Sequence, residues 1–389
     1  MITAEAAEHS ARVRDLVAAS IEAAGGWLSF EKFMDLVLYA PGLGYYSGGA
    51  RKLGTDGDFT TAPEVSRLFG ACVAVQCAEI LAALDLGAVE SGSILEIGAG
   101  TGRMAADILG RLEGLGRLPK RYLILEISAD LRERQREQMQ KRLPHLLDRV
   151  HWLDRPPAEG FDGVILANEV LDALPVARFR WNAAAVEEIG VIFDGAQFAW
   201  AAREASEAMA ANCRELFRAS GGWADGYLSE YCQRLHAWIG TVTHALRRGA
   251  VLWFDYGLPR AQYYLPERHD GTLVCHFRHR LSEDPFANVG LQDITAWVDF
   301  TRVAEACSAA NLEVAGFTTQ AHFLAASSID REMQLAAADD EVSFARFANQ
   351  ARQLMMPGEM GERFKAMACL RGIELPLTGF ALLDLRHSL

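Results

Sequence analysis

The chain has 389 residues, of which 50% are hydrophobic and 23% are charged, and its mean hydropathy is +0.04. This length predicts two or three structural units, or one large domain with insertions, and the composition excludes a disordered chain. The net charge of −13 argues against nucleic acid and anionic membrane surfaces as partners, because both attract clustered Lys and Arg. It mildly favours a cationic partner.

The hydropathy profile and the first residues suggest a location. No apolar run reaches the ~18–20 residues that a bilayer-spanning helix needs. Residues 1–10 are acidic and lack both the basic and the apolar region of a signal peptide, and they do not have the Arg-rich character of a transit peptide. These features predict a cytoplasmic protein without a membrane segment.

The cysteines do not form a metal-binding pattern. Seven cysteines are scattered along the chain, and no C-x-x-C motif occurs. Cys275 and His276, with His279 nearby, are the best candidate ligands, but a zinc site needs four ligands and no second pair follows. We therefore predict no metal site.

The hydrophobic periodicity predicts helices that alternate with short apolar strands. Helices are predicted over 4–24, 30–39, 64–84, 103–112 and 129–143, and strands over 93–97, 121–127, 150–153 and 163–167. A hairpin is predicted for 186–193 and 197–200 around Asp194-Gly195, and further core strands for 250–255, 313–318 and 380–385. This alternation is typical of an α/β fold with a doubly wound, mostly parallel sheet.

Four segments follow from this pattern. Residues 1–69 hold N-terminal helices and a cover loop rich in glycine and tyrosine, 70–204 the first part of the core, 205–247 a helical insertion, and 248–389 the remainder of the core. The loop, 41–63, contains six glycines together with Tyr45, Tyr46 and Phe59. Its aromatic residues favour an ordered flap that closes over a site.

A glycine-rich loop follows the strand predicted at 93–97. Gly98, Gly100 and Gly102 permit a tight turn and a close approach of the backbone to a ligand. A dinucleotide fingerprint would require a small residue where this chain has Arg103, and Glu96 would repel a pyrophosphate. The carboxylate would not repel the positive ammonium and sulfonium groups of S-adenosylmethionine, so this cofactor is favoured over NAD.

An acidic residue ends the next strand. The carboxylate of Glu126 can accept hydrogen bonds from both ribose hydroxyls of a bound nucleoside, although an acid there also suits the N-terminus of the following helix. Trp152 and Leu153, at the end of the third strand, are candidates to cover the adenine. For Trp152, a place in the hydrophobic core is an equally good interpretation.

Polar residues directly after the fourth strand are the candidate catalytic groups. Asn168 and Glu169 are predicted at the edge of the sheet where ligands bind, and Asp172 follows three residues later. If the methyl acceptor is a guanidinium, carboxylates must bind it bidentately, and Glu169 and Asp172 can supply them. A solvated acid and a helix N-terminal acid are the alternative interpretations.

Several long motifs resemble the MidA-like family of proteins. They are Phe33-Met34, Tyr39-x-Pro41-x-x-Gly44-Tyr45-Tyr46-Ser47, Gly57-Asp58-Phe59-x-Thr61-x-Pro63-Glu64, Phe69-Gly70, Asn168-Glu169-x-Leu171-Asp172-Ala173-Leu174-Pro175, Asp255-Tyr256-Gly257, Gly271-Thr272-Leu273, Asp293-Ile294-Thr295-Ala296, Val298-Asp299-Phe300, Thr319-Gln320 and Phe323-Leu324. Mitochondrial members of this family assist the assembly of respiratory complex I as S-adenosylmethionine-dependent protein arginine methyltransferases.

The resemblance implies a class I methyltransferase core in which the glycine loop, Glu126 and Asn168 hold the cofactor. It also implies a cover over the site that includes Tyr45, Tyr46, Asp58, Phe59, Thr61 and Glu64. Glu169 is similar in position to the first acid that holds the substrate guanidinium in other arginine methyltransferases. The implied substrate is an arginine on a complex I core subunit, with symmetric dimethylation as the product.

The sequence thus predicts a protein arginine N-methyltransferase that transfers the methyl group in one displacement. Two alternatives stay open: a methyltransferase for another protein or small-molecule nitrogen, and a non-catalytic assembly chaperone that binds S-adenosylmethionine. Apolar residues of the 205–247 segment suggest a partner surface or a homodimer interface.

Overall fold

The computed structural model describes residues 3–48, 60–84, 92–183, 185–278, 280–338 and 340–389. The helices are α1 (Ala4–Ala23), α2 (Phe30–Tyr39), α3 (Ala62–Val65), α4 (Arg67–Leu84), α5 (Arg103–Gly114), α6 (Ala129–Arg142), α7 (Glu207–Ala219), α8 (Leu235–Thr243), α9 (Arg260–Tyr263), α10 (Phe300–Ala309), α11 (Gln320–Ala326), α12 (Ile329–Ala337) and α13 (Glu341–Met355). Short 3₁₀ turns occur at Pro144–Arg149, Thr378–Phe380 and Arg386–Ser388.

The strands fall into three sheets. They are β1 (Leu28–Ser29), β2 (Ser93–Ile97), β3 (Arg121–Leu125), β4 (Val150–Leu153), β5 (Phe161–Asn168), β6 (Ala177–Trp181), β7 (Val186–Phe193), β8 (Phe198–Glu204), β9 (Tyr227–Tyr231), β10 (Leu246–Leu258), β11 (Val274–Phe277), β12 (Arg280–Ser282), β13 (Asp293–Thr295), β14 (Val298–Asp299), β15 (Glu313–Thr319) and β16 (Phe364–Arg371).

The central sheet is doubly wound. Its order is β15-β16-β10-β5-β2-β3-β4, and β14 pairs with the end of β10. Strands β10, β5, β2, β3 and β4 run parallel, whereas β16 is antiparallel to both of its neighbours. After β2 the chain adds β3 and β4 on one side of that strand. It then returns and adds β5, and later β10, on the other side. The carboxyl ends of β2 and β5 therefore form the switch point at which such sheets bind ligands.

Each face of the central sheet carries a hydrophobic core. On β5, Val164 and Leu166 pack into the core on the α4 and α5 side. The intervening residues, Ile165 and Ala167, pack into the core on the α8 and α10 side. This strict alternation follows from the two-residue period of a strand, and burial on both faces explains its continuous apolar sequence.

A second sheet has the order β1-β7-β6-β9, with β8 paired to β7. One face packs against α7, and part of the other face packs against α1 and α2 in a separate core. A small sheet of β12, β11 and β13 adjoins that core. The N-terminal helices are thereby placed beside the switch point of the central sheet.

Most predicted elements are confirmed. Helix α2 and strands β2, β4 and β7 match the predicted ranges residue for residue, and β5, β10 and β15 extend theirs by a few residues. The α/β class with a doubly wound, mostly parallel sheet is also confirmed. The buried strands were predictable because a short run of Val, Ile and Leu between turn residues is typical of a strand that is buried on both faces.

The segment 205–247 is not wholly helical, contrary to the prediction. Strand β9 lies between α7 and α8 and pairs with β6 along its full length. In β9, Tyr227, Ser229 and Tyr231 alternate with Leu228 and Glu230, and this two-residue period is typical of a strand. Strand β9 joins a sheet with β1, which lies in segment 1–69, and with β6, β7 and β8, which lie in segment 70–204. The division into four segments stays a proposal.

Two other predicted elements differ. The predicted strand 380–385 is absent: Phe380 instead packs against Phe323 with ring centroids 5.6 Å apart, and β16 occupies the place beside β10. The predicted helix 64–84 is divided at Ser66, whose backbone is extended with φ of −158°. Tertiary packing overrides local propensity in both cases.

Helix α4 qualifies the prediction about membranes. Its 18 residues have a hydropathy of 1.6 and are long and apolar enough, by length and composition, to cross a membrane. The prediction that no apolar segment reaches this length is wrong for α4. The helix is 61% buried within the fold, where it packs against α5 and the central sheet, which is the usual position of a core helix.

Candidate functional site

The glycine loop curves around the carboxyl end of β2. Gly98, Gly100 and Gly102 have φ angles of 66°, 53° and 78°, which side chains other than glycine rarely adopt. The amide of Gly98 donates to the carbonyl of Leu125 at 3.0 Å. Helix α5 begins directly after the loop, so backbone N–H groups at its N-terminus lie beside the switch point.

The loop borders a cavity of about 420 Å³, which we call the cofactor cavity. Of the predicted site residues, it is lined by Glu96, Gly98, Gly100, Glu126, Asn168, Glu169, Tyr46, Thr61 and Glu64. The structure therefore brings together residues from the loop, from the ends of β3 and β5, and from the N-terminal segment. Their roles as ligands stay predictions.

Glu126 is held rigidly at the end of β3. It is 6% exposed, and its carboxylate accepts hydrogen bonds from the amide of Ser128 at 2.9 Å and from Gln135 at 3.2 Å. Burial raises the pKa of Glu126, while these hydrogen bonds lower it in part. A carboxylate fixed in this way can accept hydrogen bonds from a diol with little loss of side-chain entropy.

Gln135 on α6 is a site residue that sequence reasoning missed. Its amide nitrogen donates to Glu126 and to the carbonyl of Gly100, at 3.2 and 2.9 Å, and its oxygen accepts from the indole of Trp152 at 2.9 Å. It thus connects the glycine loop to β3 and β4. A signal existed: Gln135 and Met139 are the buried positions of a helix that is otherwise strongly charged.

Glu96 lies in the core below the loop. It is 1% exposed and accepts a hydrogen bond of 2.6 Å from the hydroxyl of Tyr122. Burial raises the pKa of Glu96 to about 7, and the Tyr122 hydroxyl opposes this shift. The group is therefore close to half-ionised near neutral pH, and a neighbouring cation would favour its charged form.

Glu169 follows β5 in an unusual conformation. Its φ is 52°, and its amide donates to the carbonyl of Phe254 at 2.9 Å. The carboxylate accepts hydrogen bonds from the Asn168 side chain at 3.2 Å and from the amide of Ala62 at 3.4 Å. Burial, followed by the nearby charge of Asp172, raises the pKa of Glu169 to about 8.

Asp255 supports the turn that follows Glu169. One oxygen accepts from the backbone amides of Val170, Leu171 and Asp172 at 3.2, 2.9 and 3.3 Å. The sequence identified Asp255 only as part of a motif, without a role. Its burial and the neighbouring carboxylates raise its pKa well above the usual range.

Asp172 is buried in the turn that Asp255 supports. It is 5% exposed and is not among the described residues that line the cofactor cavity. Burial raises its pKa to about 6. Its predicted role as a second carboxylate for a guanidinium stays a prediction.

The cover residues contribute unequally. Tyr46 lines the cofactor cavity, stacks on Tyr39 with ring centroids 5.4 Å apart, and donates from its hydroxyl to Asp293 at 2.9 Å. Tyr45 does not line the cavity, since it is fully buried in the N-terminal core. Asp58 and Phe59 lie outside the described residues.

Glu64 and Arg103 form the wall of the cavity beside the glycine loop. The Arg103 guanidinium donates to the Glu64 carboxylate and to its backbone carbonyl, both at 3.2 Å. The carboxylate also accepts from the hydroxyl of Thr101, and Thr61 lines the cavity close by. Charges of both signs are thus available to the amino acid part of a cofactor.

Two predicted cofactor contacts are not found in the cavity. Trp152 and Leu153 are not among the described residues that line it, because Trp152 points to Gln135 and the Arg136 guanidinium, which lies 4.8 Å from the ring. Ile127 lines the cavity instead and is 57% exposed. An exposed isoleucine next to Glu126 suits the face of an adenine.

Gly102 is also absent from the described lining residues, and its role is in the turn. It precedes α5 in a left-handed conformation, and a Cβ there would lie 3.1 Å from the Cα of Gln135. This contact is tighter than a side chain normally tolerates. Gly102 therefore acts through the shape of the loop rather than through contact with the cavity.

The comparisons with known proteins identify the family. Residues 72–318 match the model of a family described as "putative S-adenosyl-L-methionine-dependent methyltransferase". This chain belongs to that family of methyltransferases. The match confirms the predicted enzyme class, the S-adenosylmethionine cofactor and the resemblance drawn from the motifs.

Solved and curated relatives agree with this assignment. A crystal structure from Burkholderia thailandensis bound to S-adenosyl-homocysteine is 40% identical, with a TM-score of 0.94 over 100% of this chain and 99% of that one. The mitochondrial protein arginine methyltransferase NDUFAF7 of Danio rerio is 27% identical over 93% of this chain and 91% of its own length. The Homo sapiens protein of the same name is 29% identical over 89% and 80%.

The predicted cytoplasmic location is contradicted by these relatives. The similar proteins of Danio rerio, Bos taurus and Homo sapiens are named as mitochondrial. The prediction was based on the composition of ten terminal residues.

Proposed function

We propose that this methyltransferase acts on the guanidinium of an arginine in a protein. The proposal rests chiefly on Glu169, a partly buried carboxylate that lines the cofactor cavity together with the glycine loop and the aromatic pair of Tyr39 and Tyr46. The names of the curated relatives, protein arginine methyltransferases, support it. The resemblance further implies that the arginine belongs to a respiratory complex I core subunit, and we include this target in the proposal.

S-adenosylmethionine supplies an electrophilic methyl group. We propose that Glu126 accepts hydrogen bonds from its ribose, that Ile127 covers its adenine, and that Arg103 and Glu64 bind its amino acid part. Gln135 positions Glu126 and the glycine loop relative to each other. The chain thus holds the cofactor by preorganised groups, which lowers the entropic cost of the reaction.

Glu169 orients the acceptor. With a pKa of about 8 it is largely protonated at neutral pH, but a guanidinium placed beside it favours the carboxylate. The carboxylate then binds the guanidinium by charge-assisted hydrogen bonds and aims one nitrogen at the methyl group. A guanidinium does not lose its proton beforehand, so Glu169 accepts the proton that the nitrogen releases as it is methylated.

The Glu169→Gln variant tests this role. We expect it to bind S-adenosylmethionine within about threefold of the wild type and to lose at least a hundredfold in turnover, a loss typical of an essential acid–base group. Glu159→Gln, at an exposed position, is the matched control and should retain full activity. Turnover should be measured by mass spectrometry of arginine methylation on the isolated complex I core subunit.

The outcomes separate the alternatives. Retained methylation in Glu169→Gln would remove Glu169 from the mechanism. Cofactor binding without methylation of any arginine in the wild type would favour another acceptor nitrogen or an assembly chaperone. Homodimer formation is an independent prediction, which sedimentation velocity of the wild type tests directly.

A further inference from the structure

A second cavity lies on the five-stranded sheet. Its volume is about 510 Å³, and its lining includes Arg178, Arg180, Trp200, Arg268 and Trp297. We call it the arginine cavity. It shares no lining residue with the cofactor cavity.

Strand alternation places the arginines on one face. Ala177, Phe179 and Trp181 of β6 point into the core against α7, so the two intervening residues, Arg178 and Arg180, point to the opposite face. Arg178 lies directly opposite Ile189 of β7, and Arg180 lies opposite Leu228 of β9. Ile189 and Leu228 also line the cavity and form an apolar floor beside the guanidinium groups.

Two of the guanidinium groups lie over indole rings. The Arg178 guanidinium is 4.6 Å from the centre of the Trp200 ring, and the Arg268 guanidinium is 5.2 Å from the centre of the Trp297 ring. Stacking restrains a guanidinium without using its N–H groups. These groups are therefore preorganised to donate to an acceptor in the cavity.

Arg178 has one buried N–H group without an acceptor. Its Nη2 donates to the carbonyl of Asp270 at 3.2 Å, while its Nε is buried without a hydrogen-bond partner. Within the described ranges, neither Arg178 nor Arg268 forms an ion pair with a carboxylate. A buried charged donor without an acceptor is costly, and an anionic ligand would remove that cost.

Two acids lie beside the arginines of the cavity. Glu187 pairs with Arg180 at 3.3 Å, and Glu230 of β9 lies opposite Arg178, with one oxygen accepting from the amide and the hydroxyl of Thr272. Asp270 is at the exposed rim beside His269. With Asp270 and Glu283 included, the lining has three positive and two negative residues, in a chain whose overall charge is −13.

The arginine cavity is close to the cofactor cavity. Pro175 lines the cofactor cavity, and Arg178 follows three residues later on an extended path. Three residues span at most about 11 Å, so a single protein can reach both cavities. At physiological ionic strength charges are screened over ~8 Å, and therefore acids elsewhere on the surface contribute little to the potential in the cavity.

We propose that the arginine cavity binds an acidic segment of a protein partner, through Asp or Glu carboxylates that contact Arg178 and Arg268. That the partner is also the methylated substrate rests on the function proposed above. In that case the cavity selects targets whose arginine lies near a cluster of acids. It is a docking site and takes no part in the methyl transfer.

Fluorescein-labelled hexaglutamate is the probe, with its binding to the full-length protein followed by anisotropy. We expect saturable binding that weakens with added salt and is at least tenfold weaker in Arg178→Gln and Arg268→Gln, since each variant removes a charged donor. Arg218→Gln, on the exposed side of α7, is the matched control and should bind like the wild type. Arg268→Gln keeps the test valid if Arg178→Gln does not fold.

Three results would overturn the proposal: no hexaglutamate binding, equal binding by wild type and Arg268→Gln, or binding of citrate without binding of hexaglutamate. The last would indicate a site for a free small anion. Calorimetric titration of the same samples with S-adenosylmethionine measures cofactor binding, so the two proposals are tested by separate measurements. Hexaglutamate binding does not need the cofactor, so a failure of arginine methylation leaves it intact.

Discussion

At the scale of single residues, Glu169 combines two unfavourable features. Its left-handed backbone conformation costs roughly 1–3 kcal/mol in a residue other than glycine, and partial burial raises the pKa of its carboxyl group to about 8. Neither feature stabilises the fold. Both are explained if the position serves a ligand, because the φ of 52° turns the side chain from the strand end into the wall of the cofactor cavity.

The raised pKa of Glu169 predicts a pH-dependent stability. Between its unfolded pKa near 4.3 and its folded pKa of about 8, the native state binds more protons than the unfolded state. Stability therefore falls as the pH rises through this window, by up to ~1.4 kcal/mol per pH unit for this group. Glu169→Gln removes that contribution, so its free energy of unfolding should exceed that of the wild type by an amount that grows from pH 6 to pH 8.

Urea denaturation at pH 6, 7 and 8 measures this difference. Glu96 and Asp172 also have raised pKa values, so the wild type retains part of the slope in either case. Glu159→Gln controls for the loss of a surface charge and should follow the wild type. A constant difference between Glu169→Gln and the wild type would mean that Glu169 is ionised in the folded protein throughout this range.

At the scale of elements, the glycine loop and helix α6 form one unit through Gln135. The loop passes so close to α6 that a Cβ on Gly102 would lie 3.1 Å from the Cα of Gln135. The same helix presents the Gln135 amide to Gly100 and Glu126. Close packing and hydrogen bonding therefore fix the loop at one distance from the carboxylate assigned to the ribose.

Gly102→Ala should disturb this unit. The new methyl group meets the Cα, Cβ and Cγ atoms of Gln135, and the φ of 78° adds strain, so we expect a loss of about 1–2 kcal/mol in stability and at least a tenfold loss in S-adenosylmethionine affinity. Gly116→Ala is the matched control: its φ is 65°, and a Cβ there would have no atom within 4 Å. It should lose stability through strain alone and keep the affinity of the wild type. Equal affinities for the two variants in calorimetric titration would contradict the argument.

At the scale of the whole molecule, the N-terminal segment is joined to the core at the mouth of the cofactor cavity. The Arg234 guanidinium, just before α8, binds Glu31 and Asp35 of α2 at 2.8 and 2.9 Å. Arg234 and Asp35 also line the cavity. Hydrogen bonds from Lys32 and Arg234 hold the pKa of Asp35 below its usual value, although burial opposes them.

Arg234→Gln should loosen this connection. Because the three side chains are partly exposed, we expect at most about 1 kcal/mol of global destabilisation. Amide hydrogen exchange of α2 should nevertheless accelerate severalfold, since local opening depends on few contacts. Arg214→Gln, which breaks an exposed ion pair within α7, is the control and should leave α2 unchanged. Unchanged exchange of α2 in Arg234→Gln would show that apolar packing alone holds the segment.

The sequence by itself determined the parallel strands of the central sheet, the glycine loop and the strand-end carboxylates, but not the antiparallel strand β16. Buried strands and glycines with positive φ are local features, and parallel strands necessarily bring Glu96, Glu126 and Glu169 to one edge. The motifs also predicted the family and its cofactor correctly. The cytoplasmic location predicted from the terminal composition is contradicted by the mitochondrial names of the curated relatives.

Only the tertiary structure decided which residues face the cavity. Asp172 and Trp152 follow strands as predicted but are not among the described residues that line the cavity: Asp172 is buried, and the indole of Trp152 donates to Gln135. Strand β9 was missed since its partner β6 lies about 50 residues earlier in the chain. The arginine cavity was missed because Arg178 on β6 and Arg268, in the loop before β11, come together only in the folded chain.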